Sequence, residues 1–138
     1  MTIQFDIEGG NFSSAGLASS EVKRLLKQLN IDIKTIKRLV VAMYEAEVNV
    51  VAHAYQGKAD AEISEDQIKV VFTDHGPGIS DIDRAMEKGY STASEQVREM
   101  GFGAGMGLSN IKSHADKLNL TSEPGKGTRV EIICYLNT

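Results

Sequence analysis

Cysteine, basic runs and long apolar stretches are all scarce in this chain, and each scarcity removes a class of function. Among 138 residues there is one cysteine, Cys134, so no internal disulfide forms and no cysteine-based metal cluster is available. Its setting, VEIICYL, is that of a small buried hydrophobe. The net charge is -4 and no long Lys/Arg run occurs, so the electrostatic footprint of a nucleic-acid binder is missing. No stretch approaches the roughly 20 apolar residues of a membrane span. The opening MTIQFDIEGG lacks the basic and apolar regions of a signal peptide. These absences predict a cytoplasmic protein that contacts neither nucleic acid nor membrane. His53, His75 and His114 share no metal-ligand spacing, and none is assigned to a metal.

What remains is ordinary for a folded protein: 41% hydrophobic and 25% charged residues, at a length that suits a single compact domain over 1–138. TIQFDIE alternates as a half-buried strand does, and GGN breaks it. Leu17, Val22, Leu25, Leu26 and Leu29 recur at helical spacing, predicting a helix over roughly residues 14 to 29. A longer helix follows Asn30 and runs to about Tyr55, with Ile36, Leu39, Val40, Met43, Val50 and Ala54 on its apolar side and Gly57 as its stop signal. AEIS and QIKVVFTD read as a hairpin around Glu65 and Asp66. Ser80 and Asp83 resemble a capping box for a short helix over 81–87, and 88–105 reads as a long mobile loop. A third main helix starts within GLSNIKSHADKL, followed by LNLTSE, the turn EPGKG and a last strand, TRVEIICYL. The pattern predicts an α/β fold: a two-layer sandwich in which helices cover one face of an antiparallel or mixed sheet.

Four patches stand out. Residues 101 to 107 read GFGAGMG, a spacing that fits neither GxxxxGK[ST] nor GxGxxG after a strand. Alternating glycines before a helix admit backbone N–H groups close to an anion, though a hinge without a ligand has the same composition. Glu45 and Asn49 lie one helical turn apart among Val48, Val50, Val51 and Ala52. An isolated pair of this kind is commonly a solvated stripe, but in an apolar helix a buried carboxylate needs a partner. TDHGPGI is a turn on Pro77 and Gly78, or a strand end that aims Asp74 into a pocket. PGKGTRVE has the same ambiguity, because Gly125 to Gly127 suits a hairpin and Thr128 suits a strand.

Taken in order, Glu45-x-x-x-Asn49, Asp74-x-Gly76-x-Gly78, the glycines from Gly101 to Gly107, and Gly125-x-Gly127-Thr128 resemble the four boxes of the GHKL ATPases, which share the Bergerat ATP-binding fold. Within that superfamily the chain most resembles bacterial anti-sigma factors and the related serine/threonine kinases of partner switching. The resemblance implies ATP as ligand and Mg²⁺ held through Asn49, with Glu45 as the general base. It implies that Asp74, supported by Thr128, accepts the adenine amino group, and that Gly76, Gly78 and Ile79 shape the base pocket. Gly101, Gly103, Ala104, Gly105, Met106, Gly107 and Leu108 would close over the phosphates, with Lys88 and Arg98 as flanking charges. Lys23 and Arg24 are the available substitutes for a basic residue that kinase-type members carry early in the first helix. The implied partners are a sigma factor, an anti-sigma-antagonist protein and a second copy of the chain in a homodimer. Transfer of the γ-phosphate to a serine, ATP-gated capture of a regulator without transfer, and stand-alone ATP hydrolysis are the three activities consistent with such a site.

Overall fold

The computed structural model describes residues 1–53, 56–75, 107–123 and 125–136. The expected helix over 81–87, the loop over 88–105 and the glycines 101, 103 and 105 lie outside the described residues, as do Gly76, Gly78, Ile79, Ala104, Met106, Lys88 and Arg98.

Five strands, β1 (Thr2–Glu8), β2 (Gln56–Ile63), β3 (Gln67–His75), β4 (Lys117–Glu123) and β5 (Gly127–Tyr135), form one sheet in the order β1-β2-β3-β5-β4. Every pairing among them is antiparallel. The alternation of the sequence fixes which face is buried: Ala59, Phe72 and Val130 share one row across the sheet, and Ala61, Val70 and Ile132 the next. All six are buried, and the partly buried Leu120 and Leu118 continue the two rows onto β4. A single-residue slip would turn these side chains to the other face, so burial specifies the register.

Helices α1 (Leu17–Gln28) and α2 (Ile33–His53) follow β1, and α3 (Gly107–His114) precedes β4. Helix α1 stops where Asn30 takes a left-handed φ of 59° and the Ile31 N–H reaches back to the Leu26 carbonyl, 3.1 Å away. Asp32 then caps α2 by accepting the Lys34 N–H at 3.3 Å. Ile36, Leu39, Met43, Val50 and Val51 of α2 join Val22 and Leu26 of α1 in the core.

Three expectations need correction. Helix α1 begins at Leu17, which is 63% exposed and lies off the apolar stripe assigned to it; Phe12–Ser14 form a separate 3-10 turn. Gly57 does not stop a helix: it sits inside β2, opposite Asp74. The strand therefore starts well before AEIS, because a glycine read locally as a breaker is here required by a close sheet contact. Helix α3 ends at His114, and Lys117 and Leu118 belong to β4. The predicted small buried hydrophobe at Cys134 is fully enclosed, and burial pushes its thiol up.

Candidate functional site

Helix α2 crosses the sheet with two polar faces. Glu45 and Asn49 are both half-buried, one turn apart. The Glu45 Oε1 accepts a hydrogen bond from the Asn110 Nδ2 of α3 at 3.3 Å, so the partner required by a carboxylate in this helix comes from α3. Asn49 makes no side-chain hydrogen bond among the described residues, which leaves its amide oxygen available. Glu47, between them in sequence, is the deeply buried carboxylate, 2% exposed, and it faces away towards α1.

There it accepts the Ala18 N–H and Ser19 N–H at 3.1 Å each and the Ser19 hydroxyl at 2.6 Å. Gly16 begins α1 without a side-chain cap of its own, and the first turn carries no acidic residue. The Glu47 carboxylate thus satisfies donors at a helix end and opposes its positive dipole. Leu17, Ala18 and Glu47 also border a cavity of about 320 Å³ whose other wall is Gln4–Ile7 of β1.

A second group converges at the end of β3. Asp74 is half-buried, and its Oδ1 accepts the Thr128 N–H of β5 at 3.0 Å. Thr128 Oγ1 in turn lies 2.9 Å from Ser122 Oγ of β4. Burial pushes the Asp74 carboxyl above the ordinary carboxylate range, against the opposing effects of the Thr128 N–H and of His75. Two glycines flank it. A Cβ at Gly57 would meet the Thr73 carbonyl oxygen at 2.8 Å and a Val50 methyl at 2.9 Å; one at Gly127, whose φ is 135°, would overlap the Asp74 carbonyl oxygen.

The Val50 contact matters because Val50 follows Asn49. It seats the C-terminal part of α2 on the strand ends that carry Asp74, so the metal-ligand candidate and the base-recognition candidate belong to one region. Gly107 and the buried Leu108 open α3, whose first turn carries no acidic residue; the first N–H groups of any helix have no partner within the helix itself. Glu45, Asn49, Asp74, Leu108 and Thr128 therefore all sit on elements joined by direct packing or pairing. Among the described residues no group of three or more His, Cys, Asp or Glu side chains could hold a metal. A lone amide oxygen suits Mg²⁺ bound mainly through phosphate, since that ion usually takes few protein ligands.

Sequence reasoning missed Asn110, Glu47 and Ser122. Asn110 left a weak trace, a poor helix former inside the short helix α3. Glu47 left a clearer one, a carboxylate flanked by Ala46 and Val48 on the apolar part of α2.

The description "Histidine kinase-, DNA gyrase B-, and HSP90-like ATPase" matches residues 34–137. Curated relatives include an anti-sigma F factor of Clostridium beijerinckii, 33% identical over 96% of this chain and 91% of its own length. Another, from a Thermoanaerobacter species, is 33% identical over 88% of this chain and 85% of its own. The fold is similar to the crystal structure of the RsbU and RsbW domains of Rv1364c from Mycobacterium tuberculosis, with a TM-score of 0.66 at 13% identity. That likeness covers 99% of this chain and 32% of the longer one. The mycobacterial sensor histidine kinase MprB gives a TM-score of 0.56 at 17% identity, covering 99% of each chain. No described helix is long and apolar enough to cross a membrane. With the match running across most of its length, the chain belongs to the histidine kinase-, DNA gyrase B- and HSP90-like (GHKL) ATPase family, as a relative of anti-sigma F factors.

Proposed function

We propose that this protein is an ATP-dependent anti-sigma regulatory factor that phosphorylates a serine of an antagonist protein. The observation that supports the reading is the close approach of Val50, the residue after Asn49, to Gly57, which lies opposite Asp74, the acceptor of the Thr128 N–H. Anti-sigma F factors as relatives support the sigma-factor and antagonist partners.

In this reading Asp74 Oδ2 accepts the adenine amino hydrogen, because Oδ1 is already engaged by the Thr128 N–H. Guanine, with an oxygen at that place, is rejected. Asn49 would hold Mg²⁺, which when bound would supply charge neutralisation at the phosphates. Glu45 takes the proton of the serine hydroxyl as its oxygen bonds to the γ-phosphorus and the bond to the β-phosphate breaks, releasing ADP. The first turn of α3 offers its N–H groups to the phosphates. Residues 101–106 complete the phosphate cover in this reading, and the homodimer and the single-domain organisation over 1–138 belong to it as well.

Nucleotide titration with ATP and GTP, with and without Mg²⁺, tests both ends of the pocket. Tight binding restricted to ATP and strengthened by the metal is expected; equal affinity for GTP would remove Asp74 from base recognition. Incubation with ATP and an antagonist-type protein should yield phosphoserine. Capture of a sigma factor without phosphoserine would favour the non-catalytic, ATP-gated alternative.

A further inference from the structure

We propose that Asn110 is a positioning residue that holds Glu45 in one orientation, leaving a single carboxylate oxygen to receive the proton. The inference rests on the reading of Glu45 as the base.

A glutamate side chain has three rotatable bonds, and Glu45 is only half-buried, so packing does not by itself choose its rotamer. Among the described residues its side chain takes one hydrogen bond, from Asn110 Nδ2 to Oε1, 3.3 Å long and spanning 65 positions of sequence. An amide NH₂ can only donate to a carboxylate, so the contact fixes which oxygen is engaged and leaves Oε2 as the free acceptor. Asn110 is itself held: its backbone carbonyl accepts the Ser113 hydroxyl at 3.1 Å and lies 2.8 Å from His114 Nδ1. Helix α3 packs along α2, giving the donor a fixed base. Asparagine is a poor residue for the middle of an eight-residue helix, and a polar duty towards α2 accounts for it. Misplacing a reacting group by about 1 Å can cost roughly a hundredfold in rate, so a tether of this kind is worth more to the chemistry than to stability.

The test combines single-turnover phosphotransfer, ATP binding and side-chain NMR. Asn110→Leu should slow transfer about ten- to hundredfold while the ATP dissociation constant stays within about twofold. Asn110→Asp, the same size, sets a second carboxylate against Glu45 and should slow transfer further, moving the acidic limb of the pH–rate profile to higher pH. It also covers the case in which the leucine variant fails to fold. In the E45Q background Asn110→Leu should change nothing further. In the unliganded protein the Asn110 side-chain amide protons should move with pH as a neighbouring carboxylate titrates, and E45Q should abolish that movement. Wild-type transfer by Asn110→Leu and Asn110→Asp, with E45Q inactive, overturns the positioning role and leaves the base intact. Wild-type transfer by E45Q, or no transfer by the native protein, overturns the base reading and the positioning role with it.

Discussion

Glu45 and Glu47 stand two residues apart on α2 and lead different lives. Glu47 is sealed between helices and spends its carboxylate on two backbone N–H groups and a hydroxyl at the start of α1. Glu45 looks the other way, is only partly buried and has one long hydrogen bond to Asn110. A fully satisfied buried carboxylate joins elements; a partly satisfied one at the edge of a site can still take a proton. The helical period alone separates the two roles, because a two-residue step turns a side chain through more than half a circle.

Substitutions should pull the two apart. The largest effect is expected for Glu45→Gln: phosphotransfer falls by about 10²- to 10⁴-fold, while the denaturation midpoint barely moves. Wild-type turnover would erase the distinction. Glu47→Ala should do the reverse. It strips Ala18, Ser19 and the start of α1 of their acceptor, costing about 3 kcal/mol of stability in a denaturant titration. ATP affinity of the folded fraction should hold, and a loss below about 0.5 kcal/mol would show that α1 finds another cap.

Asp74→Asn comes next. The Asn oxygen can keep the Thr128 N–H, but the second atom becomes a donor facing the adenine amino group, so ATP affinity should fall about tenfold or more. Folding should not suffer. Because burial raises the Asp74 carboxyl, its charged form opposes folding at neutral pH, and that penalty fades as pH falls through the raised value towards the unfolded one near 3.9. ATP affinity should weaken in the same acid window, measurable by calorimetry, and the asparagine variant should lack that pH dependence.

The smallest effect belongs to a surface tie nearer the start of α2. Arg38 forms a two-pronged ion pair with Asp116 at 3.1 and 3.2 Å, and Asp116 also accepts the Tyr135 N–H at 2.7 Å. With both side chains partly exposed, solvent screening limits Asp116→Asn to about 1 kcal/mol. The Arg38 hydrogen bond holds the Asp116 carboxyl below its ordinary range, so this contribution is present above the unfolded value near 3.9 and is lost as pH falls through the lower folded one. Midpoints of the native and variant proteins should therefore converge in acid.

How much of this could be read from the chain alone follows the range of each interaction. The amphipathic stripe of α2 and the alternation of β3 and β5 are local, and Glu45, Asn49, Asp74 and Thr128 stand out because each is a polar interruption of such a pattern. Glu47 is an equally visible interruption, yet its role depends on donors 28 and 29 positions away. Asn110 and Glu45 meet across 65 positions, and no spacing rule reaches that far. Gly57 shows the same limit from the other side: its neighbours in sequence suggest a break, and its neighbours in space, Thr73 and Val50, require a strand with no side chain.

The pair of glycines about Asp74 has a bearing on how this chain tolerates sequence drift. Gly57 and Gly127 come from different strands and answer to the same short stretch of β3, one limited by crowding and the other by crowding and a left-handed backbone. A saturation library selected only for soluble expression should already return glycine at both positions. Their retention would then report on how the sheet is assembled, and a screen for nucleotide use that flagged them would be recording an architectural demand in the guise of a binding one.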